Sequence, residues 1–457
     1  MLHTSKQDHS LLHRLIHVYP GKGGLLLNAP VEQPGLSKLS VIGLGYVGLP
    51  LALHFLEKGF EVRGIDSDSS KVEALAKGVS YLPDVPDNQI DAAIRSERFL
   101  ATSDYSAVEN SDAVVICVPT PLNSDHTPDL RYLHTVCRQL GGHLQTGQLV
   151  VLESSSYPGT TKEVLLPMLE QQGFRVGEDL FLAYSPERID PGNKAYTVEQ
   201  IPKVVSGVTA ACRARIVQLY GQAFEHVVPV SSTETAEMVK MLENTYRFVN
   251  ISLIHELLLV CDSIHVDLWE VIRAASTKPY GFSPFFPGPG IGGHCIPVDP
   301  LYLQWKAKQL QIELSLIAES ERINNRMPEY VAGEILRLLT GARSVLVYGV
   351  TYKRDINDVR ESPALRILEV LSSSGVNVRY HDPYVPEIEL HGQRFRSVDL
   401  SEDQLSQVEG VVILTDHTVL PVQFLLDHAS WVYDARNATE GYSGEARIFR
   451  LGGRVCP

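Results

Sequence analysis

Residues 38–66 read KLSVIGLGYVGLPLALHFLEKGFEVRGID, and their order decides the fold. Leu39 to Ile42 is a short apolar run of strand type, Gly43-Leu44-Gly45-Tyr46-Val47-Gly48 follows, and Leu49 to Glu57 reads as a helix ended by Lys58-Gly59. Glu61 to Ile65 is a second strand delivering Asp66, 23 positions after Gly43, close to the ~20 expected for a carboxylate that binds an adenosine ribose. Gly43 and Gly45 let the backbone approach a pyrophosphate facing the helix N-terminus, and Gly48 permits close packing of helix on strand. This βαβ unit predicts dinucleotide binding by Gly43, Gly45, Tyr46, Val47, Gly48 and Asp66. Asp66 would repel a 2'-phosphate, which favours NAD over NADP, although Arg63 and Lys71 lie nearby.

Working outward, strands are expected at Ala113 to Val118, Leu149 to Leu152 and Leu180 to Tyr184, with helical stretches between, as in a doubly wound parallel sheet. A single helix then runs from about Glu234 to Asp262, with Met238, Met241, Leu242, Tyr246, Val249, Leu253 and Leu257 recurring at three and four. Such a helix can join domains and supply a dimer face. A polar break at Arg322 to Pro328 marks the next boundary. Ser344 to Val350, a helix over Ser362 to Ser373, and Asn377 to His381 repeat the βαβ order without a second G-x-G-x-x-G, and Val411 to Leu414 and Trp431 to Asp434 add strands. The expected architecture is α/β: two doubly wound Rossmann-like domains joined by a long central helix. Its segments are 1–37 (a weakly ordered extension), 38–230, 231–327 and 328–457.

The composition fits. A chain of 457 residues, 44% hydrophobic and 21% charged, can build several cores. The formal charge of -14 opposes general attraction to nucleic acid or anionic membrane. Six cysteines scattered without a C-x-x-C pair support neither a disulfide framework nor a metal site and suit a reducing, cytoplasmic compartment. The most apolar stretch, Val41 to Leu56, is broken by Gly43, Gly45, Gly48 and Pro50 and is too short to span a bilayer. Residues 1–37 lack the pattern of a secretory signal, and Gly21-Lys22-Gly23-Gly24 lacks that of a P-loop.

Several segments can carry chemistry. Pro119-Thr120-Pro121, Glu153-Ser154-Ser155-Ser156 and Ser185-Pro186-Glu187-Arg188 follow strand ends, where ligands of parallel sheets gather; each alone also fits an ordinary turn. Cys295 sits in Pro287-Gly288-Pro289-Gly290-Ile291-Gly292-Gly293-His294-Cys295, a loop made for close backbone approach to a ligand, with an inert buried thiol as the alternative. His294 is set aside as a dyad partner, since neighbours in an extended segment point apart. On the long helix Glu237, Lys240, Asn244 and Arg247 form a polar stripe that is either solvated or turned to an interdomain cleft. Tyr352-Lys353-Arg354-Asp355 and Asp358-Val359-Arg360 place cations at another strand end, as a phosphate site or as surface charge.

Taken together these motifs resemble the UDP-glucose/GDP-mannose dehydrogenases from about Lys38 to the C-terminus. Gly43 to Gly48, Glu153-Ser154-Ser155, Ser185-Pro186-Glu187-Arg188, Lys240 with Asn244, Gly292-Gly293-His294-Cys295 with Asp299, and Tyr352-Lys353 with Arg360 occur in the family's order and spacing. The resemblance implies that two NAD molecules in turn oxidise a nucleotide-sugar C6 alcohol, through an aldehyde, to a cysteine thioester that water hydrolyses to a uronic acid used for surface polysaccharide precursors. It implies Cys295 as nucleophile, Lys240 as oxyanion stabiliser, Asn244 and Asp299 as holders of a water, and Glu187 as the acid assisting hydrolysis. Ser155 stands where the family usually has Thr, and Ser155, Thr120, Lys71 and Arg360 are implied cofactor contacts. Arg188 and Lys353 are implied ligands of the UDP-sugar, with Glu187, Lys240 and Asn244 beside them. A homodimer or higher homo-oligomer is implied as well. The runs Ser185 to Asn193 and Gly293 to Pro300 resemble the branch acting on UDP-N-acetylglucosamine; UDP-glucose and other UDP-acetamidosugars stay open. A β-hydroxyacid dehydrogenase would need neither Cys295 nor a second α/β domain, and a nucleotide-sugar sensor would not need Cys295, Lys240 and Asp299 together.

Overall fold

The computed structural model describes residues 36–188, 198–341, 343–390 and 392–453. The expected extension therefore lies outside the described residues except for Leu36 and Ser37, and so do residues 189–193 of the substrate-branch motif. The first sheet has strands β1 (Lys38–Ile42), β2 (Glu61–Ile65), β3 (Phe99–Thr102), β4 (Ala113–Ile116), β5 (Leu149–Leu152), β6 (Phe181–Tyr184), β7 (Lys203–Gly207) and β8 (Val227–Pro229) in the order 3-2-1-4-5-6-7-8. All neighbours pair in parallel except β6 with β7. Alternate residues feed two cores: Leu39, Val41, Val115 and Val151 enter one, and Ile42, Val114, Ile116, Val150 and Leu152 enter the other. A sheet buried on both faces needs uninterrupted apolar strands, which is what the sequence supplies.

The second sheet contains β9 (Ser344–Tyr348), β10 (Asn377–His381), β13 (Gly410–Ile413), β14 (Trp431–Asp434) and β15 (Arg447–Arg450), all parallel in the order 10-9-13-14-15. A small antiparallel hairpin, β11 (Glu387–Leu390) with β12 (Gln393–Arg396), stands beside it. Strands β3, β7, β8, β11, β12 and β15 are additions to those expected from apolar runs. They are edge or near-edge strands, or carry charged residues, and so lack the signal of a doubly buried strand.

The central helix spans Thr233–Ser263 and is capped by Ser232, whose side chain accepts the Thr235 N–H. Ala236 belongs to a core of the first sheet, and Ile254 and Leu258 to a core of the second. Its faces reverse the usual arrangement. Glu237, Lys240 and Asn244 are buried, whereas Met238, Leu242, Tyr246, Leu253 and Leu257 are exposed, Leu242 at 63%. The expected polar break is also corrected. Residues 322–328 are helical inside Ser315–Leu338, and Pro328 lies within that helix. Buried Ile317, Ser320, Asn324, Met327, Val331 and Ile335 form a continuous stripe at spacings of three and four that packing holds in spite of the proline.

In the glycine turn, a Cβ on Gly48 would lie 1.8 Å from the Gly43 carbonyl oxygen, while one on Gly45 would meet nothing within 4 Å. Gly48→Ala is expected to lower the thermal unfolding midpoint by the equivalent of about 1–3 kcal/mol. Gly45→Ala should leave it unchanged, and equal midpoints for the two variants would contradict this packing.

Candidate active site

The strand order of the first sheet reverses between β1 and β4, and the turns leaving these strands open a crevice of the kind that takes dinucleotides. Gly43 adopts φ +90° and donates its N–H to Ile65 O at 2.7 Å. Asp66 is held by three hydrogen bonds: Oδ2 accepts the Leu44 N–H (2.8 Å) and Lys71 Nζ (3.3 Å), and Oδ1 accepts the Asp68 N–H (2.9 Å). Arg63 instead pairs with Glu61. Thr120 Oγ1 donates to the Ser155 carbonyl, and Ser154 Oγ donates to Val118 O at 2.7 Å, so the loops after β4 and β5 are tied to each other.

The cysteine loop is shaped by close contact with the second half of the chain. A Cβ on Gly292 would lie 2.6 Å from Glu361 O, and one on Gly293 2.7 Å from the Tyr352 ring. Gly293 N–H donates to Arg360 O (3.1 Å), and Ile291 N–H to Asn324 Oδ1 (2.7 Å). The segment around His294 and Cys295 is bent, not extended as expected, because the chain turns directly into the helix Asp299–Gln309 and the Cys295 carbonyl accepts the Asp299 N–H at 2.9 Å. Burial pushes the partly exposed Cys295 thiol up, Lys240 pulls it down, Asp299 pushes it up, and Arg247 and Arg360 pull it down. Asp299 is fully buried. Burial pushes its carboxyl up to about 6 against the pull of Lys240 and of the hydrogen bond from Asn244 Nδ2. Its other oxygen has no partner among the described residues. No described carboxylate pairs with the Lys240 ammonium, which is buried beside the thiol and Asp299.

Glu187 Oε2 accepts Lys203 Nζ at 2.8 Å, and Glu153 Oε2 accepts it at 2.9 Å. Tyr220 OH donates to Glu153 from the far side. Burial opposes the Lys203 ammonium, but the two carboxylates outweigh it and hold it above the usual lysine range. Burial pushes Glu153 up to about 7 despite Lys203. Nothing in the sequence marked Lys203 except the incongruity of a lysine opening a Val-Val strand. Glu237, expected in the polar stripe, is buried against the loop after β5, where its carboxylate accepts both the N–H and the hydroxyl of Thr161.

From the second half, Arg360 forks onto buried Asp358 (2.6 and 3.0 Å) and lies over the Tyr46 ring at 5.6 Å, bridging to the glycine turn. Arg188 Nη2 and Nε bind Glu243 of the central helix at 2.6 and 3.1 Å, so this candidate ligand is already oriented by a carboxylate.

All of these elements enclose one cleft of ≈ 2450 Å³. Gly43, Gly45, Tyr46, Val47, Asp66 and Lys71 line its dinucleotide end. Thr120, Ser155, Glu187, Arg188, Lys240, Asn244 and Cys295 line the middle, and Lys353 and Arg360 come in from the second half. Gly48 and Asp299 stand behind this wall, the first packed on the Gly43 carbonyl and the second holding Asn244. His255 and Arg436, unforeseen in the sequence, line the same cleft. A signal for His255 did exist, since it continues the stripe from Lys240 at helical spacing.

The model of the UDP-glucose/GDP-mannose dehydrogenase family matches in three parts: the NAD binding domain over residues 37–224, the central domain over 234–326 and the UDP binding domain over 346–441. The chain belongs to this family. It is an NAD-dependent nucleotide-sugar dehydrogenase. It is 34% identical over 388 residues to a UDP-N-acetyl-D-mannosamine dehydrogenase of Pyrococcus horikoshii, covering 83% of this chain and 89% of that one. To a UDP-N-acetyl-D-glucosamine 6-dehydrogenase of Salmonella typhi it is 33% identical over 389 residues, covering 83% and 90%. The solved structure of the P. horikoshii UDP-D-ManNAc dehydrogenase superposes with a TM-score of 0.82 at 31% identity, covering 91% of this chain and 99% of that one. The residues of the dehydrogenase fit NAD: a tethered carboxylate closes β2, and the side-chain-free face of Gly45 is open to the cleft. Among the described residues, no helix is long and apolar enough to cross a membrane.

Lys240 and Asp299 act on Cys295 with opposite sign, and this can be read directly. Lys240→Ala should displace the pH profile of Cys295 alkylation by iodoacetamide upward and slow the reaction several-fold at neutral pH, because the thiolate loses a neighbouring cation. Asp299→Asn should displace it downward. Peptide mapping at Cys295 checks both, and displacement in the same direction would contradict the arrangement.

Proposed function

We propose that this dehydrogenase oxidises the C6 hydroxyl of UDP-N-acetylglucosamine to the uronic acid through a thioester on Cys295. The observation that carries the reading is the convergence of Cys295, Lys240 and Asn244 in one cleft with the glycine turn, with Asp299 directly behind them on Asn244. NAD, when bound, takes up the hydride at each of the two oxidations. The chain supplies the rest. Lys240 stabilises negative charge on the C6 oxygen, in a place where burial strengthens an ammonium's effect. Asn244 and Asp299 hold a water that exchanges protons with that oxygen, using the Asp299 oxygen without a protein partner. The Cys295 thiolate adds to the aldehyde carbon, and loss of the second hydride leaves the acyl group on sulfur. Water then attacks the acyl carbon, oriented by Glu187, and expels the thiolate. Ser155 and Thr120 shape the floor between cofactor and sugar, and Arg188 and Lys353 contribute to the UDP-sugar site.

The choice of sugar rests on the Arg188 and Cys295 motifs and on the Salmonella relative. UDP-N-acetylmannosamine is the second reading, favoured by the P. horikoshii relative. The labour divides along 38–230 for NAD, 231–327 for the cysteine loop and 328–457 for UDP, with the last junction inside the helix Ser315–Leu338. A pocket fitted to a 2-acetamido group leaves polar groups unpaired when offered a 2-hydroxyl. The expected result is a higher kcat/KM for UDP-N-acetylglucosamine than for UDP-glucose or UDP-N-acetylmannosamine, with two NADH per uronic acid by absorbance and product mass. Cys295→Ser should form no uronic acid at steady state, and near-normal product from it would refute the thioester.

The outward apolar face of the central helix, with Leu253, Leu257, Val260 and Ile264 exposed along its second half, supports a homodimer in which a second copy covers it. Sedimentation should give a dimer for the wild type and a monomer for Leu253→Glu/Leu257→Glu. A monomeric wild type at micromolar concentration would refute the assignment. The scattered cysteines support a reducing, cytoplasmic setting.

A further inference from the structure

Lys240, Asn244, Arg247, Ile251 and His255 succeed one another at spacings of four, three, four and four on the central helix, and all five line the cleft. The first three surround Cys295 and Asp299. His255 stands eleven residues beyond Asn244, ~16 Å farther along the axis at 1.5 Å per residue. It is 1% exposed, and neither Nδ1 nor Nε2 has a hydrogen-bond partner among the described residues. A buried imidazole left unpaired is costly, and one that also lines a ligand cleft is explained by a ligand that pairs with it.

The surroundings define that ligand's chemistry. Burial, with Arg436 adding to it, pushes the imidazole down to about 3, so the ring is neutral and offers one donor and one acceptor. Arg436 donates Nε–H to Leu414 O at 2.9 Å, and its Nη1 would lie 2.9 Å from a Cβ on Gly288, so the guanidinium sits close against the loop. Phe286 lines the cleft as well. This end combines an aromatic ring, a neutral hydrogen-bonding pair and a cation beside them.

We propose that His255 binds the nucleoside of the UDP-sugar, hydrogen-bonding uridine at the end of the cleft away from Cys295. The inference rests on the UDP-sugar reading given above. With C6 at Cys295, the hexose and the diphosphate occupy the intervening length of helix, and the nucleoside reaches His255. The neutral ring suits uncharged uridine, while Arg436 beside it can face the diphosphate that leads there. His255 is thus a binding residue that acts on substrate affinity and leaves the chemical step alone.

The test uses the full-length enzyme, with UMP and inorganic pyrophosphate as competitive inhibitors against the UDP-sugar. His255→Leu should weaken UMP inhibition and raise the KM for UDP-sugar by about tenfold, one hydrogen bond's worth. It should leave kcat, the KM for NAD and pyrophosphate inhibition within twofold of wild type. His255→Asn, neutral with one donor group and one acceptor, should recover part of the loss, and this separates recognition from misfolding. Equal weakening of pyrophosphate and UMP would move the contact to the diphosphate and overturn the proposal. So would a fall in kcat at constant KM, or variants that match wild type. A wild type that turns over no UDP-sugar would overturn the functional reading along with it.

Discussion

Ala236 is embedded in one sheet's core and Ile254 and Leu258 in the other's, so the central helix is held at both ends and cannot turn about its own axis. Each residue on a helix is about 100° from the next. Fixing the rotation therefore fixes at once which side chains meet the cleft, and a helix free to roll would trade Lys240 and Asn244 for Met238 and Leu242. The arrangement puts polar groups inside and apolar ones outside, and two of the inside groups are engaged by protein: Glu237 by Thr161 and Gly159, and Asn244 by Asp299 and Arg247. The cleft takes its chemistry from a helix that the two cores hold in place.

Much of this was legible. The strand, glycine turn, helix and acid of residues 38–66 are local in sequence, and the structure reproduces them with β1 beginning at Lys38 and the helix at Gly48. The cysteine loop could be read as a place of close approach because glycine and proline at that density have few other purposes, but the neighbours that demand Gly292 and Gly293 are Tyr352 and Glu361 of the protein itself, where the sequence suggested a ligand. Other features were not local. Lys203 meets Glu153 and Glu187 across strands far apart in the chain, and no window of sequence contains all three. The apolar periodicity of the central helix left two directions open for its polar stripe, solvent or cleft, since periodicity gives a face but not a direction; the structure buries Glu237, Lys240 and Asn244 and turns the apolar residues outward. Arg322 to Pro328 looked like a break because proline and polar residues are punctuation in isolation. Tertiary packing of Met327, Val331 and Ile335 overrode them.

Buried charge in this protein is grouped, seldom solitary. Lys203 shares its ammonium between two carboxylates that both line the cleft, Glu187 and Glu153, the second also held by Tyr220. A trio of this kind is weak evidence for stability, because removing two carboxylates and an ammonium from water costs as much as their attraction returns. It does fix position: Glu187, anchored through one oxygen by Lys203 and through the other by the Arg188 N–H at 2.6 Å, has little freedom to rotate. Arg188 in turn is locked by Glu243.

The two sheets share one small frame. In the first, Gly43 N–H donates to Ile65 O and Leu44 N–H to Asp66; in the second, Gly349 N–H donates to His381 O at 2.9 Å and Val350 N–H to Asp382 at 2.8 Å. Gly349, like Gly43, has positive φ. The acids differ in their company. Asp66 lines the cleft, whereas Asp382 also accepts from Tyr384 and Val385 and lies against His417, itself fully buried, at 3.2 Å. A nucleotide ribose needs lone pairs that such a neighbourhood has already claimed. Any survey that counts nucleotide sites by the strand, turn and acid alone would score this chain twice; requiring an acid that still faces open space would score it once.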